Sequence, residues 1–185
     1  MKIIILDRDG VINQDSTNFI KNESEWIPIP GSLEAIAKLC KNGYTVTVCT
    51  NQSGIGRNLF TLEDFENINR KMNTLINSFG GVLSGIFYCP HTDQDNCYCR
   101  KPRTGMILDI IRKFNIDNVS NLYMVGDSLR DLIAINAVGG KPVLVKTGKG
   151  NGTVKDLSIP SNTLIFNDLY QFTQYLLKEK NYETQ

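Results

Sequence analysis

The chain has 185 residues, 41% of them hydrophobic and 21% charged, with a formal net charge of +1. That length favours one domain with a sizeable core, and near-neutral charge gives no global attraction to nucleic acid or an acidic membrane surface. No apolar run approaches a bilayer span, and the opening MKIIILDRDG is too short and too acidic for a signal peptide. A cytoplasmic protein with reduced thiols is therefore expected.

In chain order, short apolar runs alternate with amphipathic stretches. KIIIL (2–6) is a continuous apolar run, the pattern of a strand buried on both faces. PGS (30–32) introduces a helix with Leu33, Ile36, Ala37 and Cys40 on one stripe, Ser32 as expected N-cap and Gly43 as stop. YTVTVCT (44–50) is the second predicted strand. Thr61 caps the next helix, whose stripe is Phe65, Ile68, Met72, Leu75, Ile76 and Phe79. GIFYC (85–89) is a third strand, followed by a cysteine-rich loop. Ile107, Ile110, Ile111 and Phe114 mark a helix, LYMVGD (122–127) a fourth strand, 129–138 a helix, PVLV (142–145) a fifth strand and TLIF (163–166) a short sixth. A final helix begins near Asp168 with Leu169, Phe172 and Leu176 inward, and the polar tail 179–185 is expected to fray.

Strands alternating with helices predict an α/β fold: a doubly wound, mainly parallel sheet with helices on both faces. No repeat or linker divides the chain, so residues 1–178 are expected to form a single domain. Active sites of such sheets collect beyond the carboxyl ends of the strands. The reactive residue types of this sequence fall there. LDRDG (6–10) ends the first strand with Asp7 and Asp9, and VGDSLRD (125–131) ends the fourth with Asp127. Either piece alone also reads as a turn or a helix cap. Three carboxylates converging on one sheet edge repel one another unless a cation lies between them. Oxygen-only ligation by Asp7, Asp9 and Asp127 favours Mg²⁺. TNQSGIG (50–56) offers hydroxyls, amides and glycine-rich backbone suited to a phosphate. Lys101, by itself an ordinary solvated lysine, follows the third strand.

The loop YCPHTDQDNCYCRKP (88–102) holds the only histidine and three of the five cysteines. Cys89, His91, Cys97 and Cys99 make a Cys₃His set suited to tetrahedral Zn²⁺. Four protein ligands leave no open position, so such a zinc over 89–99 is structural. Cys40 and Cys49 stand apart and read as small core residues.

LDRDG with Val11 next, then Thr50, Lys101 and GDSLRD, in this order, resemble the haloacid dehalogenase superfamily of phosphohydrolases. C-x-H … C-x-C-R-K-P, with NQSGIGR and TGKG (147–150), is similar to its zinc-containing branch of heptose-bisphosphate and histidinol-phosphate phosphatases. The resemblance implies Asp7 as nucleophile and Asp9 as general acid and base. It places Mg²⁺ on the Asp7 and Asp127 carboxylates and the Asp9 backbone carbonyl, with Thr50 and Lys101 on the phosphoryl oxygens. Substrate binding falls on Asp15, Ser16, Thr17, Asn18, Asn51, Gln52, Ser53, Arg100 and Ser128. The implied substrate is a small phosphorylated molecule, a heptose 1,7-bisphosphate losing its 7-phosphate, or else histidinol phosphate. No insertion is long enough for a large cap domain, and the chain is expected to act as a monomer. A catalytically silent zinc-binding interaction module is the alternative from another class.

Overall fold

In the computed structural model, which describes residues 2–182, the apolar runs form six strands: β1 (Lys2–Leu6), β2 (Tyr44–Asn51), β3 (Leu83–Cys89), β4 (Tyr123–Gly126), β5 (Lys141–Val145) and β6 (Leu164–Phe166). They lie in the order β3-β2-β1-β4-β5-β6, and every pairing is parallel. The helices between them are α1 (Ser32–Lys41), α2 (Ser53–Gly56), α3 (Leu62–Ser78), α4 (Gly105–Lys113), α5 (Leu129–Ala137), α6 (Gly150–Thr153) and α7 (Leu169–Tyr182).

The alternation of side chains across a strand explains why β1 is apolar throughout. Ile4 and Leu6 pack in a cluster with Leu33, Ile36 and Leu39 of α1, Ile68, Met72 and Ile76 of α3, and Phe172 of α7. Ile3 and Ile5 face the other way, into a second cluster with Ile107 and Ile110 of α4 and Ala134 and Ile135 of α5. The sheet is thus covered on both sides, as expected. Phe172 is fully buried, its ring 5.7 Å from Tyr123 and 5.5 Å from Phe166. Burial of one such side chain contributes about 1.5–3 kcal/mol and anchors α7 over the β5–β6 edge. Cys49 is fully buried, whereas Cys40 is half-buried with its sulfur against the Val82 backbone.

The helix ends follow local chemistry. Thr61 and Asp64 cap α3 reciprocally, through Asp64 N–H to Thr61 Oγ1 (3.1 Å) and Thr61 N–H to Asp64 Oδ2 (2.8 Å). At α1 the expectation is corrected: Gly31, at φ 84°, is the cap and Ser32 the first helical residue. The Ser32 hydroxyl instead donates to Ile12 O and Ile29 O, fastening the long segment after β1 to the helix start. α7 runs further than expected, through Tyr182. The rest of the tail expected to fray, 183–185, lies outside the described residues.

Two segments stand above the carboxyl edge. Residues 7–31 contain a single 3-10 turn, Glu23–Glu25, and residues 90–104 another, Asp93–Asp95. Neither builds a cap domain. Because β1 is central, Asp7 emerges between the ends of β2 and β4, where the strand order reverses.

Candidate active site

Asp7 is the first residue beyond β1, its backbone N–H still bound to Val125 O of β4 at 2.9 Å. Its carboxylate is 3% exposed and faces the Lys101 ammonium, Nζ to Oδ1 3.1 Å. Lys101 is itself wholly buried and completes its shell with Asp131 Oδ1 at 2.7 Å and the Cys49 carbonyl at 2.6 Å. Its backbone is held as well. Asn51 donates to Lys101 O (3.0 Å) and accepts from Lys101 N–H (3.1 Å). A lysine that sequence alone would leave in solvent is therefore a fixed point charge beside Asp7.

Asp127 follows β4, and glycines bring backbone close around it. A Cβ on Gly10, at φ +83°, would lie 2.1 Å from Asp127 Oδ2, and one on Gly148 2.2 Å from it. Oδ2 accepts the Lys149 N–H at 2.8 Å, while Oδ1 is buried without a partner. Carboxylate oxygens of Asp7, Asp127 and Asp131 all lie within 4.8 Å of one another. Asp131 is committed, Oδ1 to Lys101 and Oδ2 to the Ser128 N–H. Asp7 and the orphaned oxygen of Asp127 remain free to serve a hard divalent cation, and this oxygen-only set fits Mg²⁺.

Burial pushes the Asp7 carboxyl up to about 6, with Lys101 opposing and Asp131 adding to the rise. Burial, then the charges of Asp7 and Asp131, push Asp127 up to about 7. Asp131 moves the other way: burial opposes its ionisation, but Lys101 and Arg130 outweigh it. Lys101 is likewise held firmly protonated by Asp131 and Asp7 against the cost of its burial.

Asp9 points into a separate set of donors. The Arg8 guanidinium grips it with Nε on Oδ1 (3.1 Å) and Nη2 on Oδ2 (3.0 Å). Asn13 Nδ2 and Gln52 Nε2 each add a bond of 2.9 Å. Burial raises its carboxyl, yet the Arg8 charge and these hydrogen bonds prevail and hold it below the usual range. Gln52 also donates to Thr50 Oγ1 at 2.9 Å, so Thr50 and Asp9 share one brace.

Asp7, Asp9, Thr50, Asn51, Gln52 and Ser53 line one cleft of about 980 Å³, with Asp15, Ser16, Thr17 and Arg100 on its outer walls. Asn18 lies instead beside an adjoining groove, and Ser128 is buried at the start of α5. Arg100 donates to Asp93 and to the His91 carbonyl. Cys89, His91, Cys97 and Cys99 converge next to it. Their donor atoms approach at 3.2 to 3.6 Å, as in Cys99 Sγ to Cys89 Sγ and Cys89 Sγ to His91 Nδ1. A tetrahedron with Zn–S near 2.3 Å has edges of about 3.6–3.8 Å, so a slight expansion of this donor set would hold zinc.

The family profile of polynucleotide kinase 3 phosphatase matches residues 2–140. A D-glycero-beta-D-manno-heptose-1,7-bisphosphate 7-phosphatase from Neisseria meningitidis serogroup A is 55% identical over 181 residues, spanning 97% of this chain and 96% of that protein. The chain belongs to the heptose-1,7-bisphosphate 7-phosphatase family. The crystal structure of D,D-heptose 1,7-bisphosphate phosphatase from B. bronchiseptica, complexed with magnesium and phosphate, superposes with a TM-score of 0.95 at 47% identity, covering 97% of this chain and 99% of that one. The D,D-heptose 1,7-bisphosphate phosphatase from Burkholderia thailandensis gives a TM-score of 0.77 at 40% identity, covering 96% and 99%.

Several residues of this heptose-bisphosphate phosphatase site escape a reading of the sequence. Arg8 sits between two aspartates and is fully buried beneath Asp9. Asp131 stands four residues after Asp127, a spacing that also suits a helix cap. Arg130 and Lys149 stand inside GDSLRD and TGKG, but those motifs give neither a role, and both line the cleft.

The raised carboxyls make a prediction about stability. Their folded-state affinity for protons exceeds the ordinary value, so the metal-free fold loses stability as pH rises from about 4 to about 7. Asp127→Asn mimics the protonated form. Without added divalent metal, the variant should melt several degrees above wild type at about pH 8 and by a clearly smaller margin at about pH 5. Thermal melts at the two pH values check this, and an equal difference at both would contradict it.

Proposed function

We propose that the chain removes the 7-phosphate of D-glycero-β-D-manno-heptose 1,7-bisphosphate through an aspartyl-phosphate intermediate, in the supply of heptose for lipopolysaccharide core precursors. The observation that carries this reading is the buried Lys101 ammonium 3.1 Å from the Asp7 carboxylate, with the buried Asp127 carboxylate close beside them. A carboxylate is a poor nucleophile toward a phosphate dianion unless positive charge surrounds both.

In this reading Asp7 attacks phosphorus as the ester bond to the C7 oxygen breaks, and Asp9 gives its proton to the departing alkoxide. Asp9 then takes a proton from water, which attacks the aspartyl phosphate and frees Asp7 and inorganic phosphate. The donors that hold Asp9 as a carboxylate suit its second task. For the first, an incoming phosphate dianion raises its proton affinity. Thr50 Oγ1 and Lys101 Nζ hold the phosphoryl oxygens, where charge gathers in the transition state. The Asp7 and Asp127 carboxylates and the Asp9 backbone carbonyl would hold Mg²⁺, whose charge offsets the repulsion between nucleophile and substrate.

Asp15, Ser16, Thr17, Asn51, Gln52, Ser53 and Arg100 line the space left for the sugar. Asn51 and Gln52 act there chiefly by bracing Lys101, Thr50 and Asp9. Asn18 and Ser128 stand at the margin, through the substrate loop and the start of α5. Arg100 is paired with Asp93, which is 71% exposed. A partner as solvated as Asp93 holds Arg100 only weakly, so the guanidinium can exchange it for a phosphate. Arg57, Arg130 and Lys149 also line the cleft. This cationic wall suits a bisphosphate better than the ammonium of histidinol phosphate. Steady-state kinetics should give kcat/KM at least about 100-fold higher for the β-heptose bisphosphate than for histidinol phosphate. Asp7→Asn should lower turnover at least about 1000-fold without unfolding the protein. Comparable rates on the two substrates would overturn the substrate assignment, and an active Asp7→Asn the mechanism.

Cys89, His91, Cys97 and Cys99 hold a structural Zn²⁺ in this account, and residues 1–178 act as one domain. A single chain supplies the whole site, consistent with a monomer, and the zinc thiolates suit a reducing cytoplasm. No helix among the described residues is long and apolar enough to cross a membrane. Metal analysis should find about one zinc per chain. Its removal should speed amide exchange over 89–101 and lower turnover about 10- to 100-fold. A protein without zinc that keeps full activity would refute the zinc assignment.

A further inference from the structure

Arg130, in the first turn of α5, is a guanidinium that the site as described leaves without a task. It lines the cleft, and its Nε is buried without an acceptor. Among the described residues, none accepts a hydrogen bond from it. A forked, permanently charged donor is costly to bury unpaired, so its position points to an anionic ligand supplied from outside the chain.

The other cations of the cleft are committed or wet. Lys101 is neutralised by Asp7 and Asp131. Lys149 pairs with Asp15 Oδ2 at 2.9 Å, Arg100 pairs with Asp93, and Arg57 is exposed. Arg130 feels the carboxylates of Asp131, Asp7, Asp127 and Asp15 in that order of strength. It lines the same cleft as Asp7 at the reacting end and Asp15 on the segment after β1. The transferred phosphoryl group has Lys101 and Thr50 at hand. A second phosphate on the same substrate brings further negative charge for which the inner wall offers one uncommitted cation.

We infer that Arg130 is a substrate-binding residue, and that its guanidinium takes oxygens of the phosphate that is not transferred. The inference rests on the bisphosphate reading above and adds to it the cation that selects a doubly phosphorylated substrate. A planar fork matches two phosphate oxygens at once, which a lysine cannot do. Arg130 approaches from α5 while Arg100 approaches from the loop after β3, so the two would hold the group from different elements.

The test is the ratio of kcat/KM for heptose 1,7-bisphosphate to that for p-nitrophenyl phosphate, a monoester without the second phosphate. Arg130→Ala should lower this ratio about 10- to 100-fold, mainly through KM for the bisphosphate. Arg130→Lys should recover part of it, since the charge returns without the fork. An unchanged ratio would overturn the inference, whether both activities fall together or neither does. Arg130→Gln, with melting curves beside wild type, gives the same reading if the alanine variant folds poorly. A wild-type enzyme with no preference for the bisphosphate would instead fail the underlying substrate assignment, so the two failures are told apart.

Discussion

Burial of the Lys101 ammonium constrains everything around it. An ionised amine removed from water needs several close oxygens, and a missing partner leaves an uncompensated charge that costs about 3–5 kcal/mol. The three oxygens come from separate parts of the chain: Asp7 after β1, Cys49 within β2 and Asp131 in α5. One side chain thus ties together β1, β2 and the helix after β4. Its backbone is fixed by Asn51, so the loop that delivers it must end at one place. The Cys₃His cluster at 89–99 shortens the freedom of that loop. A metal held there would act at a distance, through the position of Lys101 and Arg100.

Three neighbouring carboxylates are tuned in two opposite directions by their surroundings. Asp7 and Asp127 are buried against each other and resist ionisation. Asp9, four donors around it, is held ionised. A cation between Asp7 and Asp127 would relieve the first conflict. A phosphate beside Asp9 would disturb the second balance toward protonation. Metal and substrate would thus each meet a charge they can balance, and Gly10 and Gly148 leave no room for a side chain near Asp127.

The succession and type of the strands were legible because buried parallel strands read as apolar and β-branched runs, as in KIIIL and YTVTVC. Asp7, Asp9, Thr50 and Asp127 stood out because each sits at or just beyond a strand end, whereas Lys101, past the cysteine loop after β3, stood out only through its motif. Their partners did not. Arg8 looks like a solvated residue between two aspartates until Gln52, 44 positions away, is seen to accept from it. Asp131 looks like a helix cap, and it is one, but its second oxygen meets a lysine from another loop. Ser32 looks like a cap and is not, because Gly31 takes the left-handed position. Local pattern carries strand, helix and motif. Which side chains share a charge depends on contacts that no local window contains.

The most direct measure of the account is the identity of the product. ³¹P NMR of heptose 1,7-bisphosphate incubated with the protein and Mg²⁺ should show the 7-phosphate signal replaced by inorganic phosphate while the anomeric phosphate persists. Loss of the anomeric signal, or a spectrum unchanged over time, would contradict it.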